Sequence, residues 1–366
     1  LNFSVLRKVF SLMGKKEKIA LVVLGLLGIL GFLGSVKNLY YAVTVPAPAF
    51  GGSFVEGFLG QPNYINPVLA FSENDLALVR LVYSGLYKYD GQGNLIPDLA
   101  DGAPRISEDQ KQYTVALKKN VQWHNGRKFK ADDVIFTILT IKDKNFNSPL
   151  RPAWASTNVE KLDDYTVKFT TKEVSGPFLN NLTVPILPMS LWGKTTAQTF
   201  ALSENNLKAV GTGPYALKEI KKLASGKIQS ISLQPYSNHY AGKAKIDNIT
   251  IKFYDRPEDL INALHSREIH GFGYLPFNEN LYLDPQREDV RLMRLPLPQY
   301  QVVFFNYLNK NLKESHVRVS LAKLISREAI LESAWGNNAQ IASSLFDFYS
   351  PSPDTQAQKT DPETAK

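Results

Sequence analysis

The sequence comprises 366 residues, of which 44% are hydrophobic and 21% charged, with a formal net charge of +8. This length favours two or more lobes, and the lack of cysteine excludes disulfides, thiolate nucleophiles, cysteine-bound metals and a lipid anchor on cysteine. Half of the net charge lies in residues 1–18, so the remainder carries too small an excess to indicate nucleic-acid binding.

The N-terminal part contains an uncharged apolar stretch at residues 19–36. As a helix it would be roughly 27 Å long, close to the thickness of the hydrocarbon core of a bilayer. We predict a transmembrane anchor over residues 19–43. Lysines precede it, so the positive-inside rule places residues 1–18 in the cytoplasm and the rest of the chain outside. Residues 1–13 show apolar positions at helical spacing and are expected to form a short interfacial helix.

A cleaved signal peptide is the alternative to a retained anchor. Residues 47–49 read Ala-Pro-Ala, which has the form of a cleavage site but lies well beyond the end of the apolar run. Both interpretations export the remainder of the chain. Residues 44–52 are rich in Pro and Gly and are predicted to form a linker.

The exported part mixes predicted strands and helices without a regular βαβ rhythm. Strands are predicted at residues 51–57, 113–117, 159–171 (as a hairpin), 228–233, 249–254 and 300–306, and helices at residues 75–86, 131–141, 257–265 and 314–335. Asn74 or Asp75 is expected to cap the first of these helices. The pattern indicates α/β lobes with mixed sheets rather than a doubly wound fold.

The sequence shows no catalytic or metal-binding constellation. Its five histidines form no i, i+4 pair, and Walker A, G-x-S-x-G and G-x-G-x-x-G motifs are lacking. The paired acids at residues 132–133 and 163–164 suit a helix start and a hairpin turn better than acid–base catalysis. His124, beside an Asn-Gly turn, is expected to be structural. We predict that the protein is not an enzyme and uses no metal or cofactor.

Several local patterns occur in the order and spacing of one protein family. The most specific is YTVALKKNVQWHNGRKFKADDV at residues 113–134, and shorter matches are QPNYINP at 61–67, VYSGL at 82–86, LIPDLAD at 95–101, VGTGPY at 210–215 and VRVSLAKLISREAI at 317–330. Together they resemble the extracytoplasmic solute-binding proteins of the peptide/nickel/opine class, which feed ABC importers. The resemblance runs from about residue 51 to the end of the chain. Lys130 departs from it, because the family often has Thr there as a helix cap.

The resemblance implies a two-lobed α/β fold of the periplasmic-binding-protein type, with mixed sheets and an insertion domain. The one transmembrane helix predicted above from the apolar run precedes this fold. Lobe I is expected over residues 53–74 and 159–298, the insertion domain over residues 75–158, and the start of an incomplete lobe II over residues 299–366. Residues 361–366 resemble the opening of a long family helix, so we interpret the chain as C-terminally truncated. A polar tail over residues 350–366 is the alternative.

The resemblance also implies a function. Such a protein captures extracellular oligo- or dipeptides between its lobes, closes on them and delivers them to a membrane permease. The expected partners are a peptide, the permease and ATPase subunits of an ABC transporter, and the bilayer, but no nucleic acid. By position in the family pattern the expected ligand contacts are Phe71, Ser72, Glu73, Trp154, Tyr300 and Gln301. Glu73 could pair with the ammonium group of a peptide.

Three alternatives stay open on the sequence alone. A binder of the same fold could take another solute, such as a nickel chelate, an opine or an oligosaccharide. A membrane-anchored sensor or scaffold could keep the fold without transport. An exported hydrolase would need a convergent triad or metal site that the sequence does not show.

Overall fold

A computed structural model describes residues 12–44, 47–273, 290–291, 300–335 and 339–342. The predicted interfacial helix over residues 1–13 lies almost entirely outside the described residues. The family-like helix start at residues 361–366 and the alternative polar tail lie outside them as well.

The first described helix, α1 (Lys15–Val43), covers the predicted anchor. It has 29 residues, and none of its most apolar window is buried within the protein. At 1.5 Å per residue it is about 44 Å long, which exceeds the hydrocarbon core of a bilayer. Near its C-terminal end the Lys37 ammonium lies 5.9 Å from the centre of the Tyr41 ring. The helix is long and apolar enough to cross a membrane, a property that an anchor shares with a signal sequence.

Short strands and helices follow α1. Within the described residues the strands are β1 (Ser53–Leu59), β2 (Tyr87–Tyr89), β3 (Leu95–Pro97), β4 (Arg105–Ile106), β5 (Gln112–Ala116), β6 (Thr157–Asp163), β7 (Thr166–Thr171), β8 (Tyr215–Lys222), β9 (Ile228–Pro235), β10 (Asn248–Tyr254) and β11 (Gly271–Phe272). The helices after α1 are α2 (Glu73–Val82), α3 (Ala131–Lys142), α4 (Arg151–Trp154), α5 (Phe178–Asn181), α6 (Met189–Trp192), α7 (Ala197–Phe200), α8 (Pro257–His265), α9 (Ser315–Leu324) and α10 (Arg327–Ala334).

The larger sheet is mixed, as predicted. Its order is β11-β1-β10-β9-β8, in which β1 runs parallel to both neighbours while β8, β9 and β10 form an antiparallel meander. One face carries α8, whose Leu260 is fully buried. A Cβ at Gly57 of β1 would lie 2.3 Å from the Leu260 side chain, so this close approach of helix and strand requires glycine. A two-stranded hairpin, β2-β3, stands apart from both larger sheets.

The smaller sheet is antiparallel, in the order β4-β5-β7-β6, and α3 packs on it. The predicted boundary between residues 158 and 159 divides this sheet, because β6 pairs with β7 and β7 pairs with β5. The boundary thus falls inside β6, and the division into lobes and insertion domain stays a prediction.

Trp154 lies in the core beneath the smaller sheet. Its side chain is 1% exposed, and its ring centre lies 6.0 Å from those of Phe169 and Phe178. A ring so buried has little surface to offer a cleft, and the expected contact of Trp154 with ligand stays a prediction.

The strand predicted over residues 300–306 is not formed. Residues 301–306 belong to no strand of the described part of the chain, and Val303 and Phe304 are 67% and 89% exposed. A β-prone run becomes a strand only where a neighbour satisfies its backbone N–H and C=O groups. The helical prediction that follows is confirmed as α9 and α10, and Ser326 caps α10 by accepting the Ala329 N–H at 3.2 Å.

Replacing Trp154 tests its assignment to the core. Trp154→Ala should lower the free energy of unfolding by about 3–5 kcal/mol, because the surrounding rings cannot fill the cavity. Leu202→Ala is the control, since Leu202 is 86% exposed and its loss should change stability by less than about 0.5 kcal/mol. Both values can be measured by urea unfolding followed by circular dichroism. A Trp154→Ala protein as stable as the control would contradict the packing described here.

Candidate functional site

The loop after β1, residues 60–72, begins at a glutamine whose side-chain amide makes two hydrogen bonds to one backbone residue, as a neighbouring strand would. The Gln61 side chain accepts the Ile228 N–H at 2.9 Å and donates to the Ile228 carbonyl at 3.1 Å. These two bonds attach the start of the loop to the first residue of β9. The loop therefore leaves the larger sheet in a defined direction.

Asp75 fixes the middle of this loop to α2. Its Oδ1 accepts the backbone N–H groups of Asn63 at 2.7 Å and Tyr64 at 3.1 Å, and the residue is fully buried. The cap of α2 is Ser72, whose hydroxyl accepts the Asp75 N–H at 3.1 Å. The expectation that Asn74 or Asp75 caps this helix is wrong, because the Asp75 carboxylate is committed to the loop.

Two buried asparagines hold the other side of the loop. Asn66 accepts the Val68 N–H at 2.9 Å and donates to the Asn206 side chain at 3.0 Å. Asn206 in turn donates to the carbonyls of Phe200 and Ala201 at the end of α7. The loop is thus connected to the sheet, to α2 and to α7 before any ligand binds.

A pocket of about 410 Å³ opens beside the loop. Three segments line it: Tyr64, Leu69 and Phe71 of the loop, Asn145, Phe146, Asn147 and Pro149 after α3, and Ala197 and Ala201 around α7. Phe71 is 64% exposed. The lining is mostly apolar, and Asn145 and Asn147 supply two side-chain amides. Such a lining suits an apolar group of a ligand that keeps its polar atoms near the rim.

The structure brings three of the predicted contact residues together. Phe71 lines the pocket, Ser72 is half-buried as the helix cap, and Glu73 is exposed in the first turn of α2. Tyr300 is half-buried and Gln301 exposed, and neither lines the pocket. Their expected contact with ligand stays a prediction.

Sequence reasoning missed the pocket residues after α3. Asn147 adopts a positive φ of 52°, a conformation that Asn tolerates better than most residues. The sequence Asp-Lys-Asn-Phe-Asn at residues 143–147 carries turn-forming residues that could have identified a shaped loop there.

His124 connects the Asn-Gly turn to the loop at residues 211–213. The backbone N–H of His124 donates to the Gly211 carbonyl at 2.9 Å, and the Gly211 N–H donates to the ring Nδ1 of His124 at 3.2 Å. Nε2 lies 2.9 Å from the Gly213 carbonyl and therefore carries the proton of the neutral ring. The predicted structural role of His124 is confirmed.

The same glycine loop lies directly against the end of α2. The Gly213 N–H donates to the Val82 carbonyl at 2.8 Å. A Cβ at Gly211 would lie 1.8 Å from the Val82 carbonyl oxygen, and one at Gly213 would lie 2.6 Å from the Val82 carbonyl carbon. Glycine is thus required by close backbone approach, and the loop serves packing.

Tyr240 forms a second connection, between the loop before β10 and the β2-β3 hairpin. Its hydroxyl donates to Asp98 Oδ1 at 2.7 Å and lies 3.1 Å from Ser84 Oγ, which is placed to donate to it. Lys88 pairs with the same Asp98 oxygen at 2.8 Å. Burial, followed by the charge of Asp98, raises the pKa of Tyr240, so the phenol stays protonated and remains a donor.

Comparison with known proteins gives one family. The family model described as bacterial extracellular solute-binding proteins, family 5 Middle, matches residues 94–366. The oligopeptide-binding protein AppA of Bacillus subtilis is 26% identical over 300 residues, which cover 81% of this chain and 54% of that protein. A dipeptide-binding protein of Escherichia coli is 26% identical over 354 residues, which cover 89% of this chain and 64% of that protein.

Among solved structures, NikZ from Campylobacter jejuni in complex with Ni(L-His) is similar, with a TM-score of 0.72 and 26% identity. The match covers 88% of this chain and 62% of NikZ. This chain therefore spans between one half and two thirds of the length of the relatives described.

Protonation of His124 should destabilise the protein. Burial lowers the pKa of His124 from its usual 6.5 to about 4. The folded state thus binds this proton more weakly than the unfolded chain, so the stabilisation is complete above pH 6.5 and is lost as the pH falls toward 4. His124→Gln should flatten the decline in the free energy of unfolding across this range, measured by urea unfolding at several pH values.

Two other histidines complete this test. The pKa of His239 is also lowered by burial, so part of the decline should persist in the His124→Gln protein. The exposed His316 provides the control, and His316→Gln should retain the wild-type pH dependence. An equally steep decline in His124→Gln and wild type would show that His124 is not buried in neutral form.

Proposed function

Since this chain belongs to the bacterial extracellular solute-binding proteins of family 5, we propose that it captures short peptides outside the cytoplasm for an ABC importer. The match over residues 94–366 is the observation that carries the proposal. Two relatives are named for the peptides they bind, oligopeptides in Bacillus subtilis and dipeptides in Escherichia coli. The proposed partners are the peptide and the permease and ATPase subunits of the importer.

The geometry around Phe71 supports this proposal. A pocket of about 410 Å³ can take one or two peptide side chains rather than a whole ligand. The loop that forms one of its walls is hydrogen-bonded through Gln61, Asn66 and Asp75, so little ordering of that wall is needed on binding. The role of the protein is binding, and no chemical step is proposed.

Location follows from the same family. These are extracellular proteins, which agrees with export of everything after α1. We propose that α1 is retained as a single-pass anchor with its lysine-flanked N-terminus in the cytoplasm. The division into lobe I, insertion domain and lobe II is proposed in the form given above, with the insertion extended to Thr171.

Filling the pocket tests its role in peptide binding. Ala201→Phe in the full-length gene product should weaken peptide affinity by about tenfold or more, because the new ring occupies space that the ligand needs. Thr199→Phe places the same ring in α7 at an exposed position that does not line the pocket. It should leave affinity unchanged.

The ligand for this titration is the peptide found by native mass spectrometry to co-purify with the protein. Calorimetry gives the affinity, and Ni(L-His) is titrated in parallel as the comparison ligand. Equal affinities of the two Phe variants would place peptide binding elsewhere. Binding of Ni(L-His) without any peptide would overturn the proposed solute.

Glu73 is proposed to pair with the ammonium group of the peptide. Glu73→Gln should weaken binding of a free peptide by up to about fivefold, the value of an exposed ion pair, and should not change binding of the N-acetylated peptide. Glu108→Gln is the control, since Glu108 is also exposed but follows β4 in the smaller sheet. If both peptides lost affinity equally in Glu73→Gln, the pairing with ammonium would be wrong.

A further inference from the structure

The linker after α1 ends in fixed contacts on the larger sheet. The Gly51 N–H donates to the Lys245 carbonyl at 2.8 Å. The N–H groups of Asp247 and Asn248 approach the Gly52 carbonyl at 3.2 and 3.3 Å. These bonds hold Phe50 next to the segment that begins β10, at the end of the sheet where β1 also begins.

This end of the sheet combines exposed apolar and basic side chains. Phe50 is 66% exposed and Ile246 is 37% exposed. Three exposed lysines accompany them, and we call the five residues the tether patch: Phe50, Lys218, Lys243, Lys245 and Ile246.

The charge of the tether patch is only partly neutralised. Lys243 pairs with Asp247 at 3.1 Å, while Lys218 approaches the Asn248 amide oxygen at 3.4 Å rather than an acid. Lys245 makes no ion pair with any residue in the ranges described above. With Asp247 counted, the patch carries a net charge of about +2, which suits an anionic surface.

The membrane is within reach of this patch. Residues 44–50 separate the end of α1 from Gly51, and even fully extended they span only about 25 Å. A retained α1 would therefore hold Phe50 near the bilayer surface. An amphipathic surface with aromatic, aliphatic and lysine side chains is the composition that binds the headgroup region.

We propose that the tether patch rests on the outer surface of the bilayer. Phe50 and Ile246 enter the headgroup region, and the three lysines contact anionic lipid headgroups. This inference rests on the proposed retention of α1, and it adds how the larger sheet is oriented relative to the bilayer. Because β1 leads from the patch to the loop at residues 60–72, the peptide pocket lies at the opposite end of the sheet, roughly 20 Å or more from the bilayer.

A single introduced thiol can report this orientation, since the sequence has no cysteine. Ile246→Cys in the full chain carries an environment-sensitive fluorophore in the patch. Leu202→Cys, 86% exposed beside the loop held by Asn206, carries it at the other end of the sheet. Both proteins are reconstituted in vesicles of phosphatidylcholine alone or mixed with phosphatidylglycerol, with a spin-labelled headgroup as quencher.

We expect several-fold stronger quenching at position 246 than at position 202 in the anionic vesicles, and a smaller difference in phosphatidylcholine alone. Lys243→Gln and Lys245→Gln should each reduce occupancy of the surface by about fivefold, and added salt should act in the same direction. Equal quenching at the two positions in anionic vesicles would overturn the orientation.

Two readouts separate this proposal from the function on which it rests. Flotation of the vesicles shows whether α1 anchors the chain, and release of the chain would overturn anchor and patch together. Peptide titration on the same vesicles tests capture independently. A chain that floats and binds peptide but shows equal quenching would overturn the tether patch alone.

Discussion

The contact between His124 and the glycine loop joins the Asn-Gly turn after β5 to the segment that leads into β8. Three hydrogen bonds join the Asn-Gly turn to Gly211 and Gly213, and the same loop donates to the end of α2. The contact has no room for a side chain at either glycine, and its hydrogen bonds require a neutral imidazole. This contact adds to one hydrophobic core that contains buried residues of both larger sheets, among them Leu233 of β9 and Phe169 of β7. Tyr240 adds a second, independent attachment through Asp98.

The pocket depends on this contact through α2. The helix is positioned at its C-terminal end by the glycine loop and carries Asp75 near its N-terminal end, where the carboxylate holds the loop that presents Phe71. A change at residue 211 is therefore expected to reach Phe71 along one rigid helix. The Asn66–Asn206 pair fixes the facing wall to the same loop. The residues that line this pocket are thus positioned by buried polar groups outside the lining.

Local chemistry made much of the fold predictable. The helix at residues 257–265 has Pro at its start and acids in its first turn, and the prediction matched its bounds; the hairpin at residues 159–171 follows from alternation around two acids. The burial of Trp154 could not be predicted, because the sequence shows that a ring is present but not what surrounds it. Residues 300–306 were misjudged because a strand needs a partner. The pocket draws on three distant segments, so no local pattern could predict it.

If α1 is retained as proposed, the short connection between α1 and β1 determines how the protein would reach its proposed permease. A binding protein released into an open volume is diluted by diffusion and must find its permease by three-dimensional search. One that is held by a single helix searches for the permease in two dimensions, within a layer only tens of ångströms deep. Few copies would then maintain a high local concentration at the membrane, and none would be lost to the surroundings.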